Sequence, residues 1–388
     1  MTKRFVMIAA VVVTAVAVRS VAPYAQMRES LFARTSLLDV GPGSGQVVLV
    51  DLDRDGHVDL ITRHLLQRRV SVFLGDGKGD FRRFPNDSLV LDYRPGMIAV
   101  ADLNADSFAD ITVASSERDE VDLFFGDGKG GFARAAGAPF STSDSRESMT
   151  RGVQLADANN DELLDIITFN GLENTFAILL GDGHGHFSPG PRVKGERSKQ
   201  QRYVFAFADL DRNGYIDAVI GTRDADTRRQ GRLTVLWGDE NGGFKERSAP
   251  LTVESNPTFI TLADINADRA PDIVVSHGGS TELTLLINDR GRFSPAPASP
   301  LDIGTEAYAV LVQDANGDSR PDLLVATAGS ATVLLNDGRN RFVPAPGSPF
   351  EATRGAYRIA AIDIDGNGKL DIVTSSFETN RIAVLLAR

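Results

Sequence analysis

Short apolar runs of four or five residues alternate with polar, glycine-rich loops along most of the chain. Within one repeating unit, a run such as VFAF or FITL precedes an acidic loop, and a second run such as DIVVS follows it directly. A third run leads into a Gly-Asp turn, and a fourth begins at the phenylalanine after that turn. Such runs, bounded by turn residues, predict four β-strands per unit. Apolar residues on both faces of the first strand predict that it is buried on both sides.

The acidic loops set the period of the repeat. Each has the pattern Asp-x-(Asp/Asn)-x-(Asp/Asn)-x-x-x-Asp, and the seven copies begin at Asp51, Asp102, Asp157, Asp209, Asp264, Asp314 and Asp363. Seven units of about 50 residues, each with four strands, predict an all-β fold. We expect a seven-bladed β-propeller of four-stranded antiparallel blades. Below, the loops are numbered 1 to 7 in chain order, and positions are counted from the first Asp.

A second motif has the same period as the acidic loops. It reads VFLGDGKGDF at 72–81, LFFGDGKGGF at 123–132 and ILLGDGHGHF at 178–187, and it shortens in later units. Glycine supplies the positive φ that tight turns need, so the motif predicts a hairpin between the third and fourth strands.

The two ends of the chain predict how the ring closes. The last residues, RIAVLLAR, form a third strand with no fourth strand after it, whereas residues 31–41 resemble a fourth strand. We expect residues 31–38 to complete the last blade by pairing with Ile382 to Leu386. A single propeller domain then spans residues 31–388. The alternative is that the N-terminal strand is a loose linker.

The first residues have the layout of a secretory signal peptide. Lys3 and Arg4 precede an apolar run from Phe5 to Val18, and small residues follow. We expect residues 1–22 to be the signal peptide, with cleavage after residue 22 or 25. A membrane anchor is the alternative, but the run is shorter than the ~20 residues that span a bilayer. The expected location is therefore the periplasm, the cell surface or the outside of the cell, with no membrane span in the mature chain.

Composition excludes several classes of function. The chain has 388 residues and no cysteine, which rules out disulfides, thiol catalysis and thiolate metal sites. The formal net charge of −11 argues against a nucleic-acid partner. Neither H-E-x-x-H nor G-x-S-x-G occurs, so hydrolysis through those motifs is not indicated. Nothing indicates an oligomer, and we take a monomer as the default.

Oxygen atoms at positions 1, 3, 5 and 9 of each loop can converge on one point. That donor set is typical of Ca²⁺, and we expect several ions, up to seven. An EF-hand is excluded because position 12 carries no glutamate. The alternative is that these side chains only cap turns through hydrogen bonds. The predicted ligands are Asp51, Asp53, Asp55, Asp59, Asp102, Asn104, Asp106, Asp110, Asp157, Asn159, Asp161, Asp165, Asp209, Asp211, Asn213, Asp217, Asp264, Asn266, Asp268, Asp272, Asp314, Asn316, Asp318, Asp322, Asp363, Asp365, Asn367 and Asp371.

Position 6 distinguishes the loops from one another. It is glycine only in loops 1, 4 and 7. If the backbone there is left-handed, any other residue costs ~1 kcal/mol. We therefore expect loops 1, 4 and 7 to bind calcium best and loops 3 and 5 to bind it most weakly.

The seven loops and the LxGDGxGxF hairpins resemble the FG-GAP/VCBS repeat family, the propeller type also found at the N-terminus of integrin α chains. The resemblance extends over residues 31–388. It implies the propeller fold strongly but implies a function only weakly, because the family includes adhesion modules, lectin-like proteins and domains attached to enzymes.

The connections after the second and fourth strands lie at the end of the propeller remote from the acidic loops, and we call this end the opposite face. Basic stretches there include RHLLQRR at 63–69 and TRDADTRRQGR at 222–232. The candidate ligand-binding residues on this face are Arg151, Arg202, Tyr203, Arg228, Arg229, Tyr308 and Tyr357. Tyrosine and arginine can stack against and hydrogen-bond a sugar. The alternatives are solvated loop charges and packing between blades.

Together these features predict an exported, calcium-stabilised binding or adhesion scaffold. Its expected partner is an extracellular polysaccharide or a protein surface, bound on the opposite face. The second hypothesis is a lyase or hydrolase acting on an anionic polysaccharide, in which an arginine, lysine or tyrosine serves as the base.

Overall fold

The computed structural model describes residues 30–143, 149–170, 175–194, 203–223, 230–240, 242–246, 250–339 and 341–388. Within these ranges all regular secondary structure is β-strand, in seven small antiparallel sheets. The predicted seven-bladed propeller is confirmed. No helix in this part of the chain is long and apolar enough to cross a membrane. The proposed signal peptide lies outside the described residues and stays a prediction.

The first three blades follow the chain order. Blade 1 consists of β2 (Ser44–Val50), β3 (Asp59–His64), β4 (Arg69–Gly75) and β5 (Phe81–Val90). Blade 2 consists of β6 (Pro95–Ala101), β7 (Asp110–Ser115), β8 (Glu120–Gly126), β9 (Phe132–Arg134) and β10 (Phe140–Ser141). Blade 3 consists of β11 (Thr150–Ala156), β12 (Asp165–Asn170), β13 (Thr175–Gly181) and β14 (Phe187–Lys194).

The next three blades repeat the same plan. Blade 4 consists of β15 (Tyr203–Ala208), β16 (Asp217–Arg223), β17 (Gln230–Gly238), β18 (Phe244–Glu246) and β19 (Leu251–Glu254). Blade 5 consists of β20 (Pro257–Ala263), β21 (Asp272–His277), β22 (Glu282–Asp289), β23 (Arg292–Pro295) and β24 (Leu301–Asp302). Blade 6 consists of β25 (Ala307–Gln313), β26 (Asp322–Thr327), β27 (Ser330–Asn336), β28 (Phe342–Pro344) and β29 (Phe350–Glu351).

Blade 7 closes the ring. It consists of β30 (Ala356–Ile362), β31 (Asp371–Ser376), β32 (Arg381–Ala387) and, from the start of the chain, β1 (Phe32–Asp39). The strands β1 and β32 are antiparallel, with Leu38 opposite Ile382 and Ser36 opposite Val384. The predicted closure is therefore confirmed in both the strand and its partner residues.

Each blade packs on its neighbours through an apolar cluster. The seven clusters each join two adjacent blades, and the one between blades 7 and 1 includes Val384 and Leu49. Because no blade buries its faces alone, the ring is stable only as a whole.

The expectation that the first strand of each blade is buried on both sides is wrong. The second strands, not the first, are buried along their full length, as in β3, β7 and β31. First strands such as β20 are only partly buried. First strands of adjacent blades contact one another, as β2 contacts β30, so they lie innermost around the axis of the ring. That position leaves part of their surface uncovered.

Candidate functional site

The backbone of all seven acidic loops is left-handed at two positions. Position 6 has positive φ in every loop, from 65° at Ser319 to 94° at Gly214, which confirms the expected conformation there. Position 4 also has positive φ in every loop, and non-glycine residues such as Arg54 and Arg212 stand there. This second position was not predicted from the sequence. Both positions curl the loop so that its side-chain oxygens turn inward.

Hydrogen bonds to the backbone hold this curl. In every loop the Oδ2 atom of position 1 accepts a bond from the N–H of position 6, at 2.6–3.1 Å. The position 5 side chain accepts a bond from the N–H of position 7, as Asn367 does from Lys369 at 2.8 Å. The turn-capping role is thus present in all seven loops. It engages only part of the oxygen lone pairs.

The aspartate at position 9 ties two parts of each blade together. Its Oδ2 atom accepts the N–H of position 2, and its Oδ1 atom accepts the N–H at the end of the third strand. In loop 1 these donors are Leu52 and Gly75, both at 2.8 Å from Asp59. The side chain is buried in every loop: Asp59, Asp110, Asp165, Asp217, Asp272, Asp322 and Asp371.

The first glycine of the Gly-Asp hairpin lets the end of the third strand approach the acidic loop closely. A Cβ atom on Gly75 would lie 2.1 Å from the carbonyl oxygen of Val58 at position 8, and Gly126, Gly181 and Gly238 have the same close approach. The positive φ expected of the motif belongs instead to the later glycines, such as Gly77. In blade 5 the first glycine is replaced by Asn288, whose side-chain amide donates to the carbonyls of Leu210 and Pro271.

Burial makes the negative charge of these loops unfavourable. It raises the pKa of the position 9 carboxyl to about 6 in loops 1, 2, 3, 5 and 7 and to about 7 in loops 4 and 6. Burial, followed by the charges of Asp55 and Asp51, also raises the pKa of Asp53. A cation bound among these groups would stabilise their ionised form.

Three loops bring carboxylates close enough to hold a metal ion. Oxygen atoms from positions 1, 3 and 9 lie within 4.8 Å of one another in loops 1, 4 and 7: Asp51, Asp53 and Asp59; Asp209, Asp211 and Asp217; Asp363, Asp365 and Asp371. In loop 1, the Oδ1 atom of Asp51 is buried and has no hydrogen-bond partner among the described residues. Both the oxygen chemistry and this unpartnered atom fit a hard cation. Asp55 of that loop instead lies 3.3 Å from the Nδ1 atom of His57.

The other four loops form hydrogen bonds between their own side chains. Loops 2, 3, 5 and 6 have asparagine at position 3, and its Nδ2 atom donates to the position 5 aspartate at 2.8–3.0 Å. In loop 6, Arg320 also pairs with Asp318. These internal contacts offset negative charge that a cation would otherwise neutralise.

Comparison with known families agrees with this geometry. The family described as FG-GAP-like repeat matches residues 51–113, 102–168, 157–220, 264–325 and 314–374, which together make up well over half of the chain. Each match runs from the first Asp of one acidic loop to the strand beyond the next. The chain belongs to the FG-GAP-like repeat family. No curated protein matches it in sequence.

Solved structures share the fold of this FG-GAP-like propeller at low identity. One is an Agrocybe aegerita lectin described as specifically recognising non-reducing terminal N-acetylglucosamine (17% identity, 79% of this chain and 80% of that chain, TM-score 0.55). Another is a chain of the BBS1N complex with ARL6DN (13%, 92% and 97%, TM-score 0.61). A third is a functionally unknown protein from Desulfotomaculum acetoxidans (13%, 81% and 91%, TM-score 0.52).

On the opposite face of the FG-GAP-like propeller, two of the candidate ligand residues lie together. The rings of Tyr308 and Tyr357 are 5.8 Å apart, and Phe377 lies 5.0 Å from Tyr357. Both tyrosines are partly exposed. The Tyr308 hydroxyl donates to Glu306 at 3.3 Å, and burial and that carboxylate raise its pKa.

The remaining candidates on this face are described only in part. Arg151 lies in β11 and Tyr203 begins β15, but their side chains are outside the description. Arg202, Arg228 and Arg229 lie outside the described residues altogether.

Two further arginines lie at this end of the propeller. Arg63, which the sequence places in the connection after the second strand, lies within β3 and is buried. Arg358, which was not predicted from the sequence, lies in β30. Aligning the seven repeats would have found both. The equivalents of Arg63 are Ala114, Phe169, Gly221, Ser276, Ala326 and Ser375, and those of Arg358 are Gln46, Met97, Gly152, Val204, Phe259 and Ala309.

Proposed function

We propose that this FG-GAP-like propeller is an exported, calcium-stabilised binding scaffold that holds an extracellular polysaccharide or a protein surface on its opposite face. The observation that carries the proposal is the chemical difference between the two ends. One end carries seven hydrogen-bonded acidic loops, whereas partly exposed aromatic rings and arginines meet at the other. Export rests on the basic and apolar start of the chain.

Calcium is the proposed ion for loops 1, 4 and 7. Carboxylate oxygens from three side chains, completed by carbonyl and water ligands, would suit a hard cation that tolerates irregular geometry. Bound there, the ion would cross-link the first two strands of a blade and offset carboxylate repulsion. The Asn–Asp hydrogen bonds of the other loops support a lower affinity there.

Carbohydrate is the favoured ligand class. A tyrosine ring packs well on the apolar face of a sugar while its hydroxyl bonds the ring substituents. The structural likeness to an N-acetylglucosamine-recognising lectin supports the same class, although at 17% identity it identifies no ligand. Tyr308 is better suited to binding than to serving as the base of a lyase, because burial and the charge of Glu306 raise the pKa of its hydroxyl.

Affinity electrophoresis in native gels that contain acidic or neutral polysaccharides tests this function. We expect at least one polymer to retard the chain and Tyr357→Ala to weaken the interaction roughly fivefold, since an aromatic contact is worth about 1 kcal/mol. Tyr215→Ala is the matched control, because that tyrosine lies in acidic loop 4. An equal loss in both variants would contradict the assignment of the face. New absorbance from unsaturated sugar ends would favour the lyase.

A further inference from the structure

Arg63 is a buried cation with unused hydrogen-bond donors. The residue precedes the last residue of β3, at the opposite face, and is 9% exposed. One Nη atom donates to the carbonyl of Pro95 in blade 2 at 3.3 Å. The Nε atom is buried and has no hydrogen-bond partner among the described residues. A buried guanidinium with an unpaired N–H is costly unless something else accepts the bond.

Arg358 approaches the same region from blade 7. Its guanidinium lies 4.4 Å from the centre of the Tyr357 ring and 5.2 Å from that of Phe259. Phe259 belongs to β20 of blade 5, and blade 6 stands between the two strands. Since the first strands line the axis of the ring, a contact that skips a blade must cross its interior. Arg358 therefore reaches into the mouth of the central channel.

Two aromatic rings connect the two guanidinium groups. A Cβ atom on Gly45 would lie 3.3 Å from the guanidinium carbon of Arg63 and 2.9 Å from the ring of Phe377. That ring lies 5.0 Å from the Tyr357 ring on which Arg358 stacks. Burial first, and then the positive charge of Arg358, lower the pKa of Arg63 to about 10. Neither arginine has a carboxylate partner among the residues that the structure describes, and burial also lowers the pKa of Arg358. Two cations held together without an anion destabilise the fold, as breaking a buried ion pair does.

The repeat does not require either arginine. Only blade 1 has a charged residue at the position of Arg63, and only blade 7 has one at the position of Arg358. The other blades build the same strands with small, apolar or neutral polar residues there. The pair is therefore a departure from the repeat that brings two charges to one place.

We propose that Arg63 and Arg358 form a site for an oxyanion, a carboxylate, sulfate or phosphate group, at the channel mouth of the opposite face. A planar guanidinium matches two oxygen atoms of such a group, and charge-assisted bonds of this kind are strong. Tyr357, against which Arg358 stacks, lies beside the site and can contact the rest of the ligand. The inference rests on the proposed binding function and names the charged group that its ligand carries.

Calorimetric titration of the full chain at matched ionic strength tests the site. The probes are sodium sulfate and sodium glucuronate, with glucose as the uncharged control. Arg63→Gln and Arg358→Gln should each weaken oxyanion binding about tenfold or more. Arg354→Gln is the matched control, because that arginine lies on the same face, its side chain is 86% exposed and it pairs with Glu378. Its binding should equal that of the unchanged chain.

Thermal unfolding without an oxyanion gives a second readout. Each variant should melt at the same temperature as the unchanged chain or higher, because repulsion between the two cations is relieved. A purely structural arginine would lower the melting temperature and leave binding unchanged, and that result would overturn the proposal. No heat with either anion would also overturn it.

The outcomes separate this site from the proposed function. Binding of sulfate but not glucuronate keeps the site and makes a free inorganic anion its ligand. Retention by a polysaccharide with no oxyanion binding refutes the site alone. Oxyanion binding through both arginines, with no polymer or protein retained, refutes the scaffold function and leaves the site standing.

Discussion

Replacing Phe32 with alanine is expected to lower the free energy of unfolding by about 3–5 kcal/mol, as for other buried phenylalanines. Phe32 belongs to the strand that closes the ring, is 7% exposed and makes an edge contact with Phe350 of blade 6 at 4.7 Å. The substitution leaves a cavity between blades 6 and 7 and weakens the docking of β1. Denaturant unfolding of the variant measures the loss.

Leu37→Ala is the control within the same strand. Leu37 is 52% exposed, so its truncation should change stability by less than about 0.5 kcal/mol. Equal, small losses in both variants would mean that the N-terminal strand contributes little and that the ring is held elsewhere. That outcome would revive the loose-linker alternative.

Asp59→Asn should cost about 1–3 kcal/mol in chelator and more with calcium. The Asp59 carboxylate accepts two buried backbone N–H groups, from Leu52 and Gly75. An amide offers one oxygen and one NH₂ group, so one backbone N–H would face another donor. This loss needs no ion, so it should appear in chelator, and with calcium the missing ligand should add to it. Chemical denaturation in both conditions measures the two contributions.

Asp53→Asn distinguishes metal binding by loop 1 from the hydrogen bonds that Asp59 accepts. Burial and neighbouring carboxylates already disfavour the charge of Asp53, so its removal should be neutral or slightly stabilising in chelator. With calcium, the same variant should lose part of the stabilisation that the ion provides. If Asp59→Asn were as stable as the unchanged chain, the claim that Asp59 stabilises the blade by linking the loop to the third strand would be wrong.

Much of the fold was predictable because a repeat multiplies weak signals. One acidic loop is ambiguous, but seven at an even period define the blades, and the unmatched ends at Phe32 and Leu386 define the closure. The left-handed backbone at position 6 was predictable from Gly56, Gly214 and Gly368. At position 4, glycine stands only in loops 6 and 7, as Gly317 and Gly366, so the sequence concealed the same conformation in the other five.

The arginine pair was harder to predict, for a physical reason. A repeat reports what all blades share, whereas a binding site depends on the residue that one blade has and the others lack. Arg63 and Arg358 are far apart in the chain, and only the closed ring brings them together. The role of Gly75 was also not predictable, because its backbone approaches Val58 only in the folded blade.

Thermal unfolding in calcium and then in excess chelator, with direct counting of bound ions, is the decisive test of whether the acidic loops bind calcium. Each ion that binds only the folded chain adds about 2.7 kcal/mol at a hundred times its dissociation constant. We expect at least three tightly bound ions, for loops 1, 4 and 7, and a clear fall in melting temperature when they are removed. No bound ions and identical melting curves would contradict it, and would leave the acidic loops as hydrogen-bonded turns.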